Sequence, residues 1–89
     1  MTESLVHDLM QDSTTASMAR AVLVARRRAV EIGIVPDDNI LTVSQSDESS
    51  PRYWRVNFEP KTPKFRRGGD YMIDVDAADG SIQRELRGQ

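Results

Sequence analysis

Eighty-nine residues without a single cysteine allow one small domain and exclude both a disulfide framework and a thiolate metal site. A chain this short buries only about 60–65% of its unfolded surface, so its stability belongs near the low end of roughly 5–15 kcal/mol. Twelve basic side chains against 14 acidic ones leave a net charge of −2, which by itself gives no nucleic-acid footprint.

Residues 3–11 group Leu5, Val6, Leu9 and Met10 at i, i+3 and i+4 spacing, so residues 1–13 read as a short helix or a flexible N-terminal segment. The opening run MTESLVHDLMQDSTT is acidic and has no apolar stretch of signal-peptide length. Ala16 to Val35, the longest mostly apolar stretch, contains four arginines and cannot span a membrane. The expectation is a soluble, cytoplasmic protein without a membrane partner.

Residues 14–89 read as one α+β domain. Any of Asp12, Ser13 or Thr14 suits a helix N-cap, and a helix is expected from about Thr15 to Ile32. Met18, Val22, Ala25, Ala29 and Ile32 form its apolar stripe, flanked by Leu23 and Val30. Gly33 is placed to stop it, with Pro36 shortly beyond. Arg26, Arg27 and Arg28 span about 200° of helix and cannot all face one partner; they suit the cation-favouring C-terminal half of a helix.

Strand signals follow. Asn39 to Gln45 alternates with Leu41 and Val43 on one face, and Asp47 to Pro51 is a polar turn. Arg52 to Glu59 places Trp54, Val56 and Phe58 opposite Tyr53, Arg55 and Asn57. Residues 60–70, PKTPKFRRGGD, carry two prolines and a Gly-Gly pair, which argue for a long basic connection. Tyr71, Ile73 and Val75 then alternate, Asp79-Gly80 turns, and Ile82 and Leu86 resume. One long N-terminal helix on a four-stranded antiparallel sheet follows, with one sheet face covered and the other partly open. The expected core is Val22, Ala25, Ala29, Leu41, Val43, Trp54, Val56, Phe58, Ile73, Val75 and Ile82. An uncovered apolar sheet face would be the first place to seek a ligand, a second copy forming a homodimer, or a protein partner.

Charge is blocky. Glu3, Asp8 and Asp12 have no basic neighbours, and Asp37, Asp38, Asp47 and Glu48 form a second acidic block. Lys61, Lys64, Arg66 and Arg67 surround Phe65 in the basic connection. These blocks either pair across the fold or present separate faces that steer a charged partner. Basic groups interleaved with an aromatic can also hold single-stranded nucleic acid; a solvated loop that docks Phe65 on the domain explains the same residues.

Catalytic chemistry finds no footing. His7, the single histidine, lies in the acidic N-terminal segment, away from any ordered nucleophile and carboxylate. Asp74 to Gly80 resembles a calcium loop, with Glu85 at the twelfth position, but Ala78 stands where an oxygen ligand belongs and the glycine comes one position late. Asp74 and Asp76 lie on one strand face about 6.6–7 Å apart, with nothing to split their pKa values. Gly68-Gly69 lacks the helix and spacing of a phosphate cradle. No catalytic residue, metal or cofactor is expected.

Trp54-x-Val56, then the basic connection, then Gly68-Gly69-x-Tyr71-x-Ile73-x-Val75-Asp76-x-x-Asp79-Gly80-x-Ile82 resembles bacterial immunity proteins of the nuclear-transport-factor-two-like fold. The preceding alanine-rich helix is similar to theirs. The closing strand, acidic turn and strand also resemble PepSY domains, which are usually exported or membrane-associated and linked to peptidase inhibition. The first resemblance implies a cystatin-like or nuclear-transport-factor-two-like roll and a non-enzymatic protein that occludes a toxin. Its contact surfaces would be Lys61, Lys64, Phe65, Arg66 and Arg67, Trp54 if exposed, and the acidic segment of Asp37, Asp38, Asp47 and Glu48. The alternatives are a nucleic-acid-binding module using the 61–67 loop and a small-ligand carrier on the open sheet face.

Overall fold

The computed structural model describes residues 12–46, 52–61 and 70–88. One helix, α1 (Ser13–Glu31), precedes a short 3-10 turn (Pro36–Asp38) and strands β1 (Asn39–Gln45), β2 (Tyr53–Pro60), β3 (Tyr71–Asp76) and β4 (Ile82–Arg87). The strands form one antiparallel meander in the order β1-β2-β3-β4. The helix covers one face of this sheet, the α+β architecture expected from the sequence.

Asp12 is the N-cap: its Oδ1 accepts from the Thr14 and Thr15 amides at 3.0 and 3.3 Å, satisfying donors that a helix start leaves open. At the other end Gly33 takes φ +89°, a left-handed conformation that suits glycine. The Ile34 amide then closes onto Ala29 O at 2.8 Å.

The stripe that the helix buries overlaps the expected one at Ala25, Ala29 and Ile32 and is turned away from Met18 and Val22. Ala21, Ala25 and Ala29 face the sheet with Val24 and Ile32 beside them, while Met18 is exposed and Val22 only half-buried. The reason is volume. Trp54, Val56, Phe58, Tyr71, Ile73 and Val75 project from the sheet, and a row of alanine methyl groups lets the helix settle against these large side chains without overpacking. Ile82, expected in the core, pairs with Val75 at the sheet edge and stays 39% exposed, because β4 is the edge strand among the described residues. Ile34 and Tyr71 join the core as well; Tyr71 does so on the face it shares with Ile73 and Val75, while Ile34 follows the helix stop, where no alternation applies.

The opposite sheet face is polar. Cross-strand register sets Ser44, Arg55, Asp74 and Arg84 in one row, and Thr42, Asn57, Met72 and Leu86 in the next. The uncovered apolar face that the sequence suggested is therefore absent among the described residues. Asp74 lies on this open face and is nevertheless fully buried. Arg55 grips it through Nε and NH2 at 2.8 and 3.0 Å, and Arg84 Nε reaches it at 3.0 Å. Both guanidinium groups also lie over the Tyr53 ring, 5.7 and 5.8 Å from its centroid.

Candidate functional site

Of the ten residues singled out as a contact surface, Asp47, Glu48, Lys64, Phe65, Arg66 and Arg67 lie outside the described residues. The structure separates the other four into two places. Trp54 is 6% exposed and belongs to the core, so the condition for its use as a contact is not met. Its Nε1 donates to Ser17 Oγ at 2.9 Å, and that hydroxyl donates to Ala77 O at 2.7 Å. The indole thereby ties the first turns of α1 to the β3–β4 connection.

Asp37, Asp38 and Lys61 meet at the other end of β2. The Lys61 amide donates to Asp38 O at 3.1 Å and its Nζ donates to Asp37 O at 2.9 Å. The acidic and basic blocks thus interlock here through backbone carbonyls. Arg26 NH2 lies 3.7 Å from Asp37 Oδ1, and Arg28 pairs with Glu85 and, at 3.5 Å, with Glu31. The arginine triplet divides as its 200° spread requires: Arg28 turns toward the sheet, Arg26 toward the 3-10 turn, and Arg27 outward, without an ion pair to any described residue.

This corner opens onto a cleft of about 560 Å³ lined by Leu23, Arg26, Arg27, Val30, Glu31, Pro36 and Asp37. Leu23 is 54% exposed, Val30 62% and the adjoining Val35 54%. Sequence reasoning placed Leu23 and Val30 on the flanks of the buried stripe; rotation of the helix onto its alanines sends them to the solvent side instead. A second cleft, about 280 Å³, lies at the start of α1 between Ser13, Thr14, Ser17, Gln45, Arg52, Trp54, Ala77 and Ala78. Both clefts are open to solvent, and neither lies on the open sheet face where a ligand carrier was expected to hold its cargo.

The ionisable groups with shifted pKa values are held by structural contacts. Burial pushes the Asp74 carboxyl up, but the hydrogen bonds and charges of Arg55 and Arg84 outweigh it and leave it below the usual carboxylate range. The Arg28 hydrogen bond lowers Glu85 against the opposing effect of burial, with a smaller contribution from the Tyr71 hydroxyl. Asp79 is lowered by Ser81, whose amide its Oδ1 accepts at 2.8 Å. Asp76 Oδ1 accepts from the Ala78 and Asp79 amides at 2.7 and 3.1 Å. The carboxylates that resembled a calcium loop are therefore occupied in shaping the turn. Among the described residues no group of three or more His, Cys, Asp or Glu side chains is placed to hold a metal, and no helix is long and apolar enough to cross a membrane.

Compared with protein-family models, with curated proteins and with solved structures, the chain matches none.

Proposed function

We propose that this chain is a non-enzymatic protein-binding domain, an immunity-type inhibitor that neutralises a toxin by covering it. The observation that carries this reading is the apolar surface on the solvent side of α1. Leu23 and Val30 stand more than half exposed on a helix whose other face already packs on the sheet. Large aliphatic side chains grouped around an open cleft and rimmed by charge are the composition of a protein contact. Arg26, Arg27, Glu31 and Asp37 supply that rim. The fold class agrees with what the resemblance to immunity proteins implies, and the partner toxin is part of the same proposal.

Co-expression with the product of the neighbouring reading frame tests it. That product is expected to arrest growth alone, and the wild-type chain to restore growth. The double variant Leu23→Gln/Val30→Gln, folded as judged by circular dichroism, is expected to lose protection. A harmless neighbour, or equal protection by wild type and variant, overturns the proposal.

A further inference from the structure

The two edges of the sheet are built differently. β4 carries Arg84, Glu85 and Arg87, and its pairing with β3 slips by one residue between Asp74 and Val75. Charge and irregularity of this kind keep an edge strand from pairing with another chain. β1 has neither. Its seven residues, Asn39–Gln45, include no charge, proline or glycine, and its register with β2 is unbroken. No strand among the described residues lies beyond it. Register also fixes which backbone groups face out. The Ser46 amide donates to Tyr53 O at 3.0 Å and the Lys61 amide to Asp38 O at 3.1 Å. Even-numbered residues therefore bond across to β2, and the N–H and C=O of Leu41 and Val43 point to the outer edge. The side chains of Leu41 and Val43 are only half-buried at the rim of the core, and Ile40 is 49% exposed on the opposite face.

This strand is complementary to itself. Centred on Thr42, an antiparallel copy sets Leu41 against Val43 of the second copy and Val43 against its Leu41, each pair with outward N–H and C=O groups that can exchange both ladder hydrogen bonds. The same pairs bring apolar side chains together on the helix-covered face, and Thr42 meets Thr42 on the other, a favourable cross-strand pair. No charge within the strand opposes a like charge, and only the centred register pairs all seven residues. Asp37 and Asp38 before the strand, and Asp47 and Glu48 after it in sequence, would oppose one another in any longer overlap, so the ladder ends with the strand. A foreign strand could use the same backbone groups but would have to supply both matching faces. The copy supplies them already, and it leaves only the guarded β4 edges outermost, so assembly closes at two. We propose that β1 pairs antiparallel with β1 of a second copy, joining two sheets into one across a two-fold axis at Thr42. This interface goes beyond the protein-binding reading above and does not depend on it.

Because the chain has no cysteine, single thiols test the axis directly. Opposed residues of a non-hydrogen-bonded antiparallel pair have Cα atoms about 4.5 Å apart, within the roughly 4.4–6.8 Å that a disulfide spans. Thr42→Cys is therefore expected to give a covalent dimer under diamide oxidation, read on a non-reducing gel. Ser44→Cys, equally exposed, places the two thiols about 14 Å apart along the strands and should cross-link at least about tenfold more slowly. Sedimentation velocity over about 1 to 100 μM should show wild type passing from monomer to dimer, as suits a contact at the small end of interfaces. Thr42→Lys, folded as judged by circular dichroism, sets like charges opposite each other and should weaken the dimer by about tenfold or more. A wild-type monomer throughout that range, a dimer indifferent to Thr42→Lys, or Thr42→Cys cross-linking no faster than Ser44→Cys overturns the proposal. Growth protection by a chain that stays monomeric would sink the dimer and leave the protein-binding reading standing.

Discussion

Asp74 and Val75 are neighbours in β3, and both are fully buried, yet they are buried for opposite reasons. Val75 faces α1 and is held by packing among Trp54, Val56 and Ile73. Asp74 faces away from the helix and is held by two arginines from the strands on either side. One sheet face excludes water with shape, and the other with a charge cluster. The difference teaches that a sheet covered by a helix on one face can still bury a carboxylate on the other, provided that long cationic side chains lie across it.

Breaking the packed face should have the largest effect. Phe58→Ala removes the largest fully buried side chain and should cost about 3–5 kcal/mol. For a chain near the low end of about 5–15 kcal/mol, that leaves little or no folded protein. Urea denaturation followed by Trp54 fluorescence would measure it; a loss below about 1 kcal/mol would mean that the helix does not cover this face.

On the charged face, Asp74→Asn should cost roughly 3 kcal/mol. This is the low end for a broken buried pair, because Arg55 and Arg84 are 32% and 52% exposed and can turn toward water. The loss should depend on pH. Folded Asp74 titrates below its ordinary value of about 3.9, so its stabilisation is complete above that value and fades as pH falls through the lower folded one. Wild type and Asp74→Asn should therefore differ most at neutral pH and converge below about pH 4. A gap that does not change with pH would show that Asp74 acts by shape, as Val75 does.

Trp54→Phe sharpens the same contrast at lower cost. It keeps the ring in the core and deletes the Nε1 hydrogen bond to Ser17, worth about 1 kcal/mol. Thermal melts should show this loss while partner binding is unchanged. A binding defect without a stability defect would return Trp54 to the contact surface.

The elements were legible in the sequence because their signals are local. The Asp12 cap, the Gly33 stop and the alternation of Trp54, Val56 and Phe58 follow from backbone chemistry within a few residues. The side of α1 that meets the sheet was legible only in part: Ala25, Ala29 and Ile32 were placed there correctly, Met18 and Val22 were not. The helix carries apolar residues on both sides, and only the bulk of Phe58 and Trp54 across the interface decides for the alanines. Alternation places Asp74 correctly on the open face, but its burial was not legible, because it depends on Arg55 and Arg84, 19 and ten residues away in the chain. Of the ten contact residues read from the sequence four are described: Asp37, Asp38 and Lys61 join at one corner, while Trp54 is withdrawn into the core.

The smallest expected effect belongs to the surface with the largest functional claim. Leu23→Gln/Val30→Gln replaces two solvent-facing aliphatic side chains with residues of equal or better helix propensity and leaves every described hydrogen bond in place. Stability should stay within about 0.5 kcal/mol of wild type, measured by urea denaturation. If these side chains instead support the fold, the double variant should lose 1 kcal/mol or more, on the order expected for removing packed aliphatic groups. The comparison between faces would then extend to the helix, with no side of α1 left over for a partner. An unchanged stability together with lost binding is what separates a docking strip from an outlying piece of core, because aliphatic surface left in water in the free chain contributes no burial to its stability.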